Sequence, residues 1–131
     1  MDEARENILD HYELPRHRSP LVDATVVQRQ DNPLCGDRVV VYLQVVDDKV
    51  AAIGWEGRGC TISQAAASML SEELLGKSVA EACALDEQFM VDLIGTRLNP
   101  ARMKCATLSL KAVQYGLESW QNRSLDPAHT Y

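Results

Sequence analysis

The spacing of hydrophobic positions changes near Gly59. From Val22 to Glu56 they follow the period of a strand with one buried face, and after Gly59 they recur every three to four residues, the period of a helix. The β-branched run Arg38-Val39-Val40-Val41-Tyr42-Leu43-Gln44-Val45-Val46 predicts a central strand, and Val22 to Gln28 predicts one before it. Asp47-Asp48 predicts a tight turn into a third strand over Lys49 to Glu56, where Ala51, Ile53 and Trp55 share a face. Ahead of this antiparallel meander, residues from about Asp2 to Tyr12 predict a short polar helix with Ile8 and Leu9 on one side, ended by Pro15.

Beyond Gly59, the residues Ile62, Ala65, Ala66 and Met69 make the apolar face of a helix that should stop near Gly76. Ser78 and Glu81 form a capping-box pattern for a further helical stretch through Leu85, Phe89, Leu93 and Ile94, ending at Gly95. Asn99-Pro100 opens a last helix whose buried face reads Ala101, Cys105, Leu108, Ala112 and Tyr115. The tail after Asn122 has little periodicity and is expected to be mobile. Strands first and helices after predict an α+β fold of two layers, a three-stranded antiparallel sheet covered by helices.

Size and composition narrow the function. A length of 131 residues suits a single domain over 1–131, and 46% hydrophobic with 24% charged residues is an ordinary soluble composition. A net charge of -6, with the basic residues scattered, argues against nucleic acid as a partner, because phosphate binding needs a concentrated basic surface. Met1-Asp2-Glu3-Ala4-Arg5 has no secretory-signal character, and no apolar run is long enough for a bilayer, so no membrane association is expected. The expected location is cytoplasmic, where scattered cysteines point to metal or catalysis more than to disulfides.

Three of the four cysteines lie at punctuation sites: Asn32-Pro33-Leu34-Cys35-Gly36-Asp37, Gly57-Arg58-Gly59-Cys60-Thr61-Ile62-Ser63 and Arg102-Met103-Lys104-Cys105-Ala106-Thr107-Leu108. Each thiol stands beside a turn signal or in the opening turns of an expected helix, where backbone N–H groups favour the thiolate. Together with the Asp37 carboxylate they have the charge and ligand number for tetrahedral zinc, or for an iron–sulfur cluster in transit. Asp37 also reads as a cap on the Gly36 turn. Cys83, inside a helical stretch, reads as a small core residue. His11, His17 and His129 lack metal-ligand spacing to the cysteine motifs, and no cysteine has the His/Asn companions of a hydrolase. Gly57-Arg58-Gly59 reads as a turn that lets the backbone approach the metal rather than as a phosphate loop. Lys104 reads as a solvated lysine whose charge favours a thiolate at Cys105.

With those motifs in that order, the chain resembles the U-type iron–sulfur cluster assembly proteins, with their IscU-like and SufU-like branches. The resemblance runs from Ile8-Leu9-Asp10-His11-Tyr12-Glu13-Leu14-Pro15-Arg16 through Asn32 to Asp37 and Gly59-Cys60-Thr61-Ile62-Ser63-Gln64-Ala65 to Cys105-Ala106-Thr107-Leu108. It implies a SufE/NifU-like α+β sandwich and a metal or cluster site at Cys35, Asp37, Cys60 and Cys105. Lys104 stands where IscU-like members carry histidine, and Leu98-Asn99-Pro100-Ala101-Arg102 replaces the leucine-diproline segment read by an Hsp70-type chaperone, so that partner is not expected. Arg102 to Leu108 looks SufU-like, although the stretch between Cys60 and Cys105 is too short for the usual SufU insertion. The implied chemistry is zinc-dependent sulfur transfer, with Cys35 accepting persulfide sulfur from a PLP-dependent cysteine desulfurase. A transient [2Fe–2S] cluster on Cys35, Cys60 and Cys105, kept labile by Asp37, would then pass to apo iron–sulfur proteins. The alternative is a zinc-stapled interaction module without transfer chemistry.

Overall fold

Asp47 and Asp48 both adopt left-handed backbone angles, φ 53° and 62°, which is the conformation a two-residue hairpin turn demands. The turn joins β2 (Asp37–Val46) to β3 (Lys49–Arg58), and β1 (Val26–Asn32) lies on the other side of β2 in a three-stranded antiparallel sheet ordered β1-β2-β3. The computed structural model describes residues 2–34 and 36–125.

Two details of the sheet differ from the sequence expectation. The first strand starts at Val26 rather than Val22, which is fully exposed. Pairing sets that limit: Val26 lies opposite Leu43, and just outside it Thr25 takes the Val45 N–H on its hydroxyl at 2.9 Å, which ends the ladder. In β3, Gln44 pairs with Ala52 but Val45 pairs with Val50, so Ala51 is the extra residue of a bulge. The bulge shifts the inward phase, so that Val50, Ile53 and Trp55 are buried while Ala51 is exposed.

Among the described residues six helices complete the fold: α1 (Asp2–Glu13), α2 (Thr61–Leu74), α3 (Val79–Cys83), α4 (Glu87–Ile94), α5 (Pro100–Ala106) and α6 (Leu108–Leu125). Helix α2 is central. It touches α1, β3, α4, α5 and α6 and is buried continuously from Ile62 to Ser71. Ala65, Ala66 and Ala67 keep it slim enough for neighbours on several sides. The inner sheet face packs Val39, Val41, Leu43, Ile53 and Trp55 into the same core.

The stretch from Ser78 to Gly95 is two helices rather than one. Ser78 and Glu81 form the expected capping box, but Asp86 caps a new helix by accepting the Phe89 N–H at 2.9 Å. The Gln114 amide covers the break by donating to the Leu85 carbonyl at 2.7 Å, with longer bonds of 3.3 Å to Ala82 and Cys83. The last helix is also divided, at Thr107, whose hydroxyl donates to the Met103 carbonyl at 2.8 Å. Asn99 caps α5 through the Arg102 N–H, as the Asn99-Pro100 pair predicts. The division resets the buried face: Cys105, Leu108 and Ala112 are inside as expected, whereas Ala101 and Tyr115 are exposed and Leu110, Val113 and Leu117 fill the core. Helix α6 continues past Asn122 to Leu125, and residues 126–131 lie outside the described residues.

His11 fastens α1 to α2. The Ser68 hydroxyl accepts the Arg16 N–H at 2.8 Å, which leaves its own hydrogen for His11 Nδ1 at 2.7 Å. Such a bond suits the neutral ring. Burial, and then the Arg16 charge, hold the His11 pKa below its ordinary 6.5 against the opposing pull of Glu72 and Asp10. A histidine with a depressed folded pKa contributes stability that is fully present above 6.5 and lost as pH falls through the folded value. Denaturant unfolding on either side of 6.5 should therefore show His11→Asn losing less stability on acidification than the parent. Equal losses would remove His11 as a source of the pH dependence.

Candidate metal centre

Three of the four residues singled out as ligands come from three different elements. Asp37 opens β2, Cys60 is the N-cap of α2, and Cys105 lies in α5. Asp37 is 1% exposed, and its Oδ1 accepts the Cys60 N–H at 3.0 Å while Oδ2 lies 3.7 Å from Cys60 Sγ. That approach depends on Gly59, whose φ is +147°, because a Cβ there would sit 2.1 Å from Asp37 Oδ1. Gly57 and Arg58 are the end of β3 rather than a turn, so the close approach is made by Gly59 alone, and the group it admits is a carboxylate.

Cys60 is an exposed helix cap. Its sulfur accepts the Ser63 N–H at 3.5 Å at the N-terminus of a 14-residue helix. Cys105 differs from expectation: it is in the last turn of α5, just before the break at Thr107, where the helix dipole does not favour an anion. It is buried, and the amide of Asn32 turns toward it, with Nδ2 at 4.0 Å from Cys105 Sγ. Lys104 is exposed beside it.

The ligand atoms of Asp37, Cys60 and Cys105 all lie within 4.8 Å of one another. Tetrahedral zinc with ordinary bond lengths sets its sulfurs about 3.8 Å apart and its sulfur and oxygen about 3.5 Å apart. The donor set and its spacing therefore fit such an ion with small side-chain movements. Cys35 lies outside the described residues, but Leu34, which precedes it, lines a pocket of about 460 Å³ with Cys60 and Cys105. Arg102 and Lys104 contribute two cations to that lining, and none of its described residues is acidic.

The remaining candidates stand apart from this cluster. Cys83 packs half-buried against the core, and burial followed by the Glu118 charge pushes its thiol pKa up. His11 belongs to the α1–α2 contact, and the His17 carbonyl accepts the Trp55 N–H at 3.0 Å. His129 lies outside the described residues. The residue that sequence reasoning passed over is Asn32, because an asparagine before proline reads as nothing more than turn chemistry.

The family model described as NifU-like N terminal domain matches residues 3–126. The chain is 37% identical over 130 residues to the zinc-dependent sulfurtransferase SufU of Bacillus subtilis, covering 86% of this chain and 88% of the relative. It is 36% identical over 129 residues to the iron-sulfur cluster assembly scaffold protein IscU of Thermotoga maritima, covering 86% and 91%. Among solved structures, a putative iron-sulfur cluster assembly scaffold protein for the SUF system from Fervidobacterium islandicum superposes with a TM-score of 0.74 at 28% identity, covering 86% of this chain and 94% of that one.

Proposed function

Because this chain belongs to the NifU-like N-terminal domain family, we propose that it serves iron–sulfur cluster assembly as a metal-dependent sulfur acceptor with a transient cluster as its cargo. The convergence of Asp37, Cys60 and Cys105 within 4.8 Å is the observation that carries this reading. Cys35, Asp37, Cys60 and Cys105 would hold zinc, which keeps thiols deprotonated without changing redox state. The rest of the chemistry belongs to the chain.

In the transfer step the Cys35 thiolate attacks the outer sulfur of a persulfide on a PLP-dependent cysteine desulfurase. A new S–S bond forms at Cys35, the donor's S–S bond breaks, and the donor cysteine leaves as a thiolate. Arg102 and Lys104, on the wall of the pocket, supply positive charge beside the anionic sulfurs. For a [2Fe–2S] cluster assembled here as cargo, the hard oxygen of Asp37 is a weaker holder than a fourth thiolate, which favours release to an apo acceptor. The proposed setting is the cytoplasm.

The bond from the Cys60 N–H to Asp37 favours a second reading, a zinc-stapled interaction module, because it ties two loops together whatever their chemistry. One assay separates the two. Reduced protein added to a cysteine desulfurase with cysteine should raise alanine production several-fold and gain one sulfur atom by mass. Anaerobic addition of ferrous iron and excess dithiol, which reduces the persulfide sulfur to sulfide and is itself oxidised to a disulfide, should then give a visible absorbance that passes to apo-ferredoxin. No added sulfur and an unchanged alanine rate would leave only the staple.

A further inference from the structure

Asn32 closes β1, is buried at 8% exposure, and has only one amide orientation that satisfies its surroundings. The Leu34 N–H, 3.2 Å away, can pair only with the amide oxygen, so the amide nitrogen must face Cys105 Sγ at 4.0 Å. The Asn32 main-chain carbonyl accepts the Gly36 N–H at 2.9 Å, and in the ladder Asn32 is the partner of Asp37. One residue therefore bonds to both chain neighbours of Cys35, pairs with the residue carrying the carboxylate, and turns an N–H toward the sulfur in α5.

We propose that Asn32 is a positioning residue of the metal centre. Its side chain fixes the turn after β1 through the Leu34 N–H and presents a donor to the Cys105 sulfur. The inference rests on the reading of Asp37, Cys60 and Cys105 as metal ligands. Cys105 is buried in the last turn of α5, and the Asn32 amide is an N–H group turned toward its sulfur. A separation of 4.0 Å is long for an N–H···S bond, so the larger share of the effect is orientation of the ligand and the smaller share is charge.

Asn32→Asp tests this with little change of shape. It keeps an oxygen for the Leu34 N–H but turns a second carboxylate oxygen, without a hydrogen, toward Cys105. Asn32→Ser keeps a short acceptor for the turn and cannot reach Cys105. Cobalt(II) is the probe, read through its thiolate charge-transfer and ligand-field absorbance and displaced by zinc to obtain affinities. Both variants should bind metal about 10- to 100-fold more weakly than the parent. Their thiolate-to-cobalt band should be altered, while metal-free thermal unfolding of each variant stays a single cooperative transition. If Asn32→Asp does not fold, the serine variant decides. Parent-like affinity and spectrum in a folded variant would overturn the role of Asn32 alone. A parent that binds neither cobalt nor zinc would overturn the metal centre, and this inference with it.

Discussion

Cys35→Ala will abolish the acceleration of a cysteine desulfurase by this protein. The expectation follows from bond chemistry: sulfur transfer requires a thiolate at the receiving residue, and a methyl group can form no disulfide bond. A tenfold loss would point to a helper, whereas complete loss marks an acceptor. Cys83→Ala is the matched control, because that thiol packs against the core and burial disfavours its thiolate. Alanine production should stay within about twofold of the parent in that variant, since it lies outside the cluster of sulfurs. If Cys35→Ala accelerates as well as the parent, the acceptor is elsewhere. Cys60 is then the first candidate, because it is exposed and its sulfur already accepts a helix N–H.

Withdrawing the metal will lower the melting temperature by about 15 °C. Binding to the folded state alone stabilises by about 4 kcal/mol when free metal exceeds Kd about a thousandfold. In a domain of this size each kcal/mol moves the melting temperature by about 4 °C. The proposed ligands Asp37, Cys60 and Cys105 lie in β2, the α2 cap and α5, so ordering would be shared by elements distant in sequence. Calorimetry of protein purified without added metal, before and after chelation, checks it. An unchanged transition would remove both the sulfur-acceptor reading and the staple reading.

What the sequence disclosed was mostly local chemistry. The Asp47-Asp48 turn, the Ser78–Glu81 capping box and the Asn99-Pro100 helix start all follow from interactions within a few residues, and all are present. What it concealed depends on partners far away. The start of β1 is fixed by where Leu43 lies, and the bulge at Ala51 by the register against Val45. A helical wheel drawn through Asn99 to Tyr115 assumes one axis, and the break at Thr107 gives two, which is why Tyr115 is exposed. At the site, the motifs singled out Cys35, Asp37, Cys60 and Cys105, and the structure brings the last three together while Cys35 lies outside the described residues. Asn32 could not be singled out, since its importance lies in a contact 73 positions along the chain.

The dispersal of the ligands also bears on biosynthesis. Residues 37, 60 and 105 leave the ribosome in that order, and the sheet with the start of α2 is complete well before α5 emerges. A nascent chain therefore carries Asp37 and Cys60 before the cysteine that completes the trio has been made. Stable metal capture becomes an event that follows synthesis, and its timing is set by the docking of a seven-residue helix against α2. A premature stop between Arg58 and Cys105 would leave the three strands in the chain but remove both Cys105 and helix α6, which packs on β1 and β2.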